Sequence, residues 1–235
     1  RLKLELEAVK LTVYKIMKTI VGIFAHPDDE AFGPAGTLAL MAKKSRVYII
    51  CATNGEAGRG NIRKAEDVAR IRREELFKSA KIIGVKQVFF LNFEDGMLSN
   101  KLYHQIAEKI SPILKRLKPE TIITFEPRGV TGHIDHIVVS LVSTFLFERF
   151  RFIKNLYYFC VLQKRLKKKS SYFIHIPAGY KKSDIQKTVD ISSVIGIKFC
   201  AIKQHKSQKH DIIRVLPVIA DGDKKEYFMA LRKRS

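Results

Sequence analysis

The 235-residue chain is short of acid: 23 aspartates and glutamates stand against 44 lysines and arginines, a formal net charge of +21. It is also short of cysteine, with Cys51, Cys160 and Cys200 far apart and in no CxxC spacing. That excludes a disulfide framework and a cysteine zinc site, and a reducing cytoplasm becomes the default location. Long hydrophobic runs are missing too. The apolar stretch from Leu11 to Ala25 is broken by Lys15 and Lys18, which makes it too short to span a bilayer. It lacks the small-residue cleavage site of a signal peptide. No internal repeat or low-complexity linker divides the chain. With 46% hydrophobic residues, 17–235 is expected to form a single domain with a sizeable core. Residues 1–16, upstream of Met17, read as a flexible or non-native extension.

The surplus of positive charge implies attraction to something anionic, or a lysine-rich solvated surface. Basic residues concentrate between Arg149 and Lys169, interleaved with Phe150, Phe152, Tyr157, Tyr158 and Phe159. That segment has the composition of a weak membrane-surface patch, although aromatics at strand spacing more often belong to a core. No nucleic-acid module accompanies it, so no nucleic-acid partner is expected. Self-association into a homo-oligomer is compatible with the sequence.

Periodicity alternates between strand and helix. Thr19–Ala25, Arg46–Ala52, Gln87–Leu91 and Thr121–Phe125 are β-branched or apolar runs of strand length. Between them, Gly36–Lys44, Ile62–Ile83 with Gly84 as its stop, and Tyr103–Leu117 have helical spacing. This pattern predicts an α/β, Rossmann-like fold: a mostly parallel sheet covered by helices on both faces. Beyond it, Ile137–Phe147 reads as helix, Asn155–Leu162 and Tyr172–Ile176 as strands, and Thr188–Ile191 as a strand or turn leading into a helix near Ser192–Gln208. The last third either completes the sheet or forms a small lobe at its edge.

In such sheets ligands bind beyond the carboxyl ends of the strands. There the scarce acids gather. His26-Pro27-Asp28-Asp29-Glu30 follows the first strand, Asn54-Gly55-Glu56 the second, Glu94-Asp95 the third, and Glu126 through His136 the fourth. His26 and Asp29 can face one point where a strand turns into a helix, and His133 and His136 stand one turn apart if a helix begins there. Either pair alone is usually a helix cap with surface histidines. Both together on one sheet edge suggest a mixed nitrogen and oxygen site that suits zinc, with other divalent metals also accommodated.

Ala-His-Pro-Asp-Asp-Glu after a first strand, with Gly132-His133-Ile134-Asp135-His136 about a hundred residues later, resembles the LmbE-like / PIG-L family of zinc-dependent N-acetylglucosaminide deacetylases. Thr53–Gly58, Arg72-Arg73-Glu74-Glu75-Leu76, Asp95-Gly96 and Lys198-x-x-Ala201-x-x-x-His205-x-Ser207-Gln208 add supporting matches. The resemblance implies His26, Asp29 and His136 as zinc ligands and Asp28 as the general base. His133 becomes a cation or acid near the oxyanion or leaving amine, with Asp135 orienting its ring. Arg72, Asp95 and Glu56 fall at positions around the sugar. Arg72 either clasps an anionic aglycone or forms a surface pair with Glu75, and Asp95 accepts bonds from hydroxyls or is a plain turn residue. Glu30 is expected to be structural, as an acid in a first helical turn. His205, Ser207 and Gln208 are either an ordinary polar helix end or help to close the pocket. The implied activity is removal of acetyl from a small-molecule N-acetylglucosamine conjugate, with an anionic aglycone suited to the charge. The alternatives are an amidase acting on a larger amide and a basic, non-catalytic binding protein on the same fold. The family's proline between the histidine and aspartate of the second motif is replaced here by Ile134.

Overall fold

Runs of β-branched and apolar residues become central strands because a parallel sheet buries both of its faces. The computed structural model describes residues 17–58, 64–163 and 174–233. Its strands and helices alternate as β1 (Thr19–Phe24), α1 (Asp29–Phe32), α2 (Ala35–Ala42), β2 (Arg46–Thr53), α3 (Ala65–Ile83), β3 (Gln87–Phe93), α4 (Tyr103–Leu117), β4 (Thr121–Phe125), the single turn α5 (Gly129–Gly132), α6 (Ile134–Arg149) and β5 (Asn155–Cys160). They are followed by β6 (Lys187–Asp190), α7 (Ile195–Ile202), α8 (Lys209–Ala220) and β7 (Lys225–Arg232).

These seven strands form one sheet in the order β3-β2-β1-β4-β5-β7-β6. β1 to β5 run parallel, while β7 is antiparallel to both β5 and β6. All six residues of β1 and all five of β4 are buried. One apolar cluster packs α4 and α6 on one face, through residues such as Ile106, Ile110, Val139 and Leu146. The other packs α2, α3 and α7 on the opposite face, through Leu38, Ala80, Ile83 and Ala201. The α/β architecture expected from the sequence is the one observed.

Local signals set the boundaries. Gly84 ends α3 in the left-handed conformation (φ 91°), donating to the Ala80 carbonyl at 3.1 Å. The last third completes the sheet rather than forming a separate lobe, because β7 doubles back against β5. The strand expected over Tyr172–Ile176 is absent from its described part, residues 174–176. The aromatics of the basic segment are core: Phe150, Tyr157, Tyr158 and Phe159 are buried. That removes them from any membrane-facing patch, while the lysines of 164–169 and the segment 1–16 lie outside the described residues. No helix among the described residues is long and apolar enough to cross a membrane. Cys51 and Cys160 are buried free thiols and Cys200 is exposed.

Candidate active site

Two strand ends build the site. After β1 the chain turns sharply through His26-Pro27-Asp28 into α1, and after β4 it winds through Glu126–Gly132 into α6. The first turn is strained at Asp28, whose φ of 144° is unusual for a residue with a side chain. Surrounding bonds hold it there. Its N–H donates to Glu30 Oε2 at 3.2 Å, its carbonyl accepts from Ala31 and Phe32 at 2.9 Å each, and its Oδ2 accepts from Arg72 Nη2 at 2.9 Å. The second loop is wound around one buried carboxylate: Glu126 accepts from the N–H of Arg128 and Val130 and from the Tyr180 hydroxyl, at 2.9, 3.0 and 2.7 Å. Val130, a β-branched residue at φ 62°, is held in place by that bond.

His26 and His136, 110 positions apart in sequence, meet with Nδ1 and Nε2 3.1 Å apart, and Asp29 Oδ1 lies 3.3 Å from the same Nε2. The outer atoms of each ring fix its tautomer. His136 Nδ1 faces the Gly129 carbonyl at 3.1 Å, so it carries a proton and Nε2 presents a lone pair. His26 Nε2 is held between Asp95 Oδ1 at 3.0 Å and Asp135 Oδ2 at 3.2 Å, which places a proton there and turns Nδ1 inward. Asp29 Oδ2 is taken by the N–H groups of Ala25 and His26, at 3.0 and 2.8 Å, leaving Oδ1 to face the rings. Two imidazole nitrogens and a carboxylate oxygen therefore converge, an arrangement that a proton on His26 Nδ1 satisfies or that a metal ion can replace.

Several observations test the fit to a metal. The three donors lie within 4.8 Å of one another. Nitrogens held tetrahedrally about 2.0–2.1 Å from zinc would stand roughly 3.3–3.4 Å apart, close to the 3.1 and 3.3 Å observed. Burial disfavours charge on His26, yet the carboxylates of Asp135 and Asp95 outweigh it and hold the ring up to about 10. Burial also opposes charge on Asp29, but the two imidazoles hold its carboxyl well below the usual carboxylate range. The group is built for positive charge. A second trio, His26, His133 and Asp135, is also close enough to share an ion. Its atoms are already committed: Asp135 Oδ2 and Oδ1 accept from the N–H of Gly96 and Leu98 at 2.8 and 3.2 Å, and His133 Nδ1 accepts from Asp135 N–H at 3.2 Å.

Those bonds correct several expected roles. Asp135 holds His133 through its backbone N–H, while its carboxylate backs His26 and anchors the turn after β3. His133 is not a ready cation, because burial and then the neighbouring His26 and His136 push it down to about 4. With Nδ1 accepting a backbone N–H, the neutral ring carries its proton on Nε2. Arg72 is neither a clasp for the aglycone nor a surface partner of Glu75. It is 4% exposed and binds the carbonyls of Gly55 and Pro27, at 2.7 and 2.9 Å, as well as Asp28. The glycines of Thr53–Gly58 make room for it: a Cβ on Gly55 or Gly58 would come within 2.6 or 2.4 Å of the guanidinium. Asp95 is turned inward too, spending one oxygen on His26 and the other on Ala57 N–H at 3.1 Å. Glu56 accepts from Asp95 N–H at 3.0 Å, bracing the two loops against each other. Thus none of the three residues placed around the sugar presents its charge outward.

Burial pushes Asp28 up to about 6 against the pull of Arg72, which poises its carboxylate to take a proton near neutrality. Behind it, Glu30 is structural, but not as a solvated helix charge. It is 1% exposed and accepts from Ser79 and His205, the latter at 2.9 Å. Ser207 ties to Glu75 at 2.8 Å and Gln208 donates to the Gly58 carbonyl at 3.1 Å, so the His205–Gln208 segment braces the site from behind. From the sequence Glu126 was placed at the end of the fourth strand without a role, and Tyr180 was missed. Their only signal was a lone acid directly after the fourth strand.

Comparison with known proteins decides the family. Residues 21–146, more than half of the chain, match the family model described as PIG-L: GlcNAc-PI de-N-acetylase. The chain belongs to the PIG-L family. Among its relatives, a probable N-acetylglucosaminyl-phosphatidylinositol de-N-acetylase of Schizosaccharomyces pombe is 34% identical over 124 residues, covering 52% of this chain and 48% of that protein. A probable N-acetyl-alpha-D-glucosaminyl L-malate deacetylase 2 of Bacillus subtilis is 28% identical over 204 residues, covering 84% and 86%. Against the first curated relatives, then, the PIG-L match spans about half of their length. The N,N'-diacetylchitobiose deacetylase of Pyrococcus horikoshii superposes with a TM-score of 0.72 at 22% identity, covering 93% of this chain and 85% of its own. GalB, a 4-carboxy-2-hydroxymuconate hydratase of Pseudomonas putida, superposes almost as well, at 0.70 and 18% identity over 93% and 98%. The shared PIG-L fold therefore does not choose the reaction. The side chains at the strand ends must.

Proposed function

We propose that this chain is a metal-dependent hydrolase that removes the acetyl group from an N-acetylglucosamine conjugate. The observation that carries the reading is the convergence of His26 Nδ1, His136 Nε2 and Asp29 Oδ1 beside a carboxylate of raised pKa, Asp28. His26, His136 and Asp29 would hold the ion, and two imidazoles with one carboxylate favour zinc. When bound, such an ion supplies Lewis acidity that acidifies water and polarises a carbonyl. Asp28 takes the proton from the attacking water, while Arg72 holds its carboxylate in place. His133 donates from Nε2 to the carbonyl oxygen as negative charge builds there, acting as a neutral donor. The proton on Asp28 then passes to the departing nitrogen as the C–N bond breaks, leaving acetate and a free amine. The family description and the names of the relatives support the sugar. The net charge of +21 supports an anionic aglycone, and the dispersed free cysteines support a reducing, cytoplasmic location.

The test is metal analysis joined to amine release from a panel of N-acetylglucosamine conjugates bearing inositol, malate, phospholipid or a second sugar. One bound divalent ion and metal-dependent release of acetate are expected. A protein that binds no metal and only associates with polyanions, weakening steeply as salt is raised, would instead be a binding protein on this fold.

A further inference from the structure

Arg72 and Arg128 flank the site in opposite states. Arg72, the residue expected to clasp an anion, is buried and spent on Gly55, Pro27 and Asp28. Arg128 lies in the loop after β4, one residue before Gly129, whose carbonyl holds His136. Its side chain is 42% exposed.

That side chain is held by a built support. Nε donates to the buried Glu126 Oε2 at 3.3 Å, and the guanidinium lies over the Tyr180 ring, 4.0 Å from its centroid. Tyr180 is itself tied down, since its hydroxyl donates to Glu126 at 2.7 Å while its N–H and carbonyl pair with Val161 and Gln163 at 2.8 and 3.1 Å. A planar cation fixed in this way is pre-organised to meet a carboxylate or a phosphate. Yet Nη2 of Arg128 is buried without a hydrogen-bond partner. An orphaned donor on a charged group is costly, so this one calls for an acceptor that the described residues do not supply.

The surroundings suit an anion. Arg128 walls a cavity of about 590 Å³ together with His133, Ile134, Ile137 and His175. Asp135 is the one acid among the described residues of that wall, and its oxygens already accept from Gly96 and Leu98 and face His26. The cavity touches none of the trio His26, Asp29 and His136. It reaches them only through the His133 ring, whose centroid is 4.7 Å from that of His26 and 5.0 Å from that of His136. Because the acetamide belongs at the trio, what enters this cavity is a part of the substrate beyond the sugar.

Resting on the hydrolase reading above, we propose that Arg128 selects substrates whose aglycone carries a carboxylate or phosphate, binding that group with the edge of its guanidinium while the acetamide lies at His26, Asp29 and His136. The selection acts on binding rather than on the chemical step. Glu126 and Tyr180 are its positioning residues.

The test compares kcat/KM within two pairs of N-acetylglucosaminides: carboxymethyl against carbamoylmethyl, and 2-phosphoethyl against 2-hydroxyethyl. Hydrogen bonds to a charged group are worth about ten- to a hundredfold, so the wild type should favour the charged member of at least one pair by that factor. The pair with the larger ratio identifies the anion. Arg128→Gln should bring that ratio close to one, through KM of the charged member, and Arg128→Lys should restore part of it. A wild-type ratio near one in both pairs overturns the proposal and leaves the deacetylase reading intact. So does an Arg128→Gln enzyme that slows both members of a pair equally, since the arginine then only braces Glu126. If no glycoside is cleaved, the deacetylase reading fails, and calorimetry with the same four compounds decides the anion site alone. Tighter binding of a charged member, lost in Arg128→Gln, supports the site; equal or absent binding refutes it.

Discussion

The two ends of the sheet use the same residue types in opposite ways. At the amino ends of β1 and β4, Lys18 and Glu120 pair at 2.7 Å with their side chains 65% and 36% exposed. At the carboxyl ends of β1 to β4, His26, Asp29, Asp135, Glu126 and Arg72 are all less than 10% exposed. Water screens the first pair, so its geometry is free to vary. It cannot screen the second group, so each charge there must be answered by a donor, an acceptor or an ion in a fixed place. A chain with only 23 acids spends a disproportionate share of them where they cannot be hydrated. Chemistry, rather than solubility, is the reason to put them there.

The comparison breaks most visibly at Asp28. Asp28→Asn keeps the shape and tolerates the unusual φ but cannot take a proton, so kcat should fall by about 10²–10⁴ while the bound metal stays stoichiometric. A variant that retained its rate with full metal occupancy would remove Asp28 from the reaction. His136→Ala acts on the other function of the same turn and should lose the ion itself, read by metal analysis.

Asp135→Asn tests the backing of His26. The charge that backs His26 is lost, and because Gly96 and Leu98 N–H donate to different oxygens, the amide keeps only one of those two bonds. Metal affinity should drop by about 10–100-fold. Unchanged affinity would leave Asp95, on the same nitrogen, as the sole anchor.

How much of this was legible in the sequence follows from distance along the chain. His26, Asp28 and Asp29 fall within one turn, and His133 to His136 within another, so spacing alone could place them. The partners were not local. Asp135 reaches His26 across 109 positions, Arg72 reaches Asp28 across 44, and His205 reaches Glu30 across 175. Without the fold, Arg72 reads as a helix-surface arginine and Asp95 as a turn residue, because nothing near them in sequence shows what their side chains answer. The sheet's far edge was hidden for another reason. β7 pairs with β5 on one side and β6 on the other, yet its sequence, KEYFMALR, shows no clear alternation, since its last residues run out into solvent. The aromatic strand β5, by contrast, was correctly read as core material.

His205→Gln sharpens the contrast through stability. His205 has no surface exposure, and burial disfavours its charge, but Glu30 beside it raises its pKa above the ordinary value. A histidine whose folded pKa lies above its unfolded one stabilises the fold fully below about pH 6.5, and that contribution fades as pH climbs through the folded value. Removing the imidazolium leaves Glu30 buried without its counter-ion, a loss of about 3–5 kcal/mol. The gap in melting temperature between wild type and His205→Gln should therefore be wide at pH 6 and narrower at pH 9. A gap that widened with pH would mean that His205 stabilises the fold as a neutral ring.

The smallest effect belongs at the opposite end. Lys18→Ala deletes an ion pair drawn at 2.7 Å, shorter than the 2.9 Å between Arg72 and Asp28, yet its melting temperature should match wild type within error at physiological salt. Arg72→Ala, removing the longer pair, should destabilise the fold and slow the reaction together. If both substitutions were silent, burial would not be what separates the two ends of the sheet, and the crowding of acids beyond β1 to β4 would need another cause.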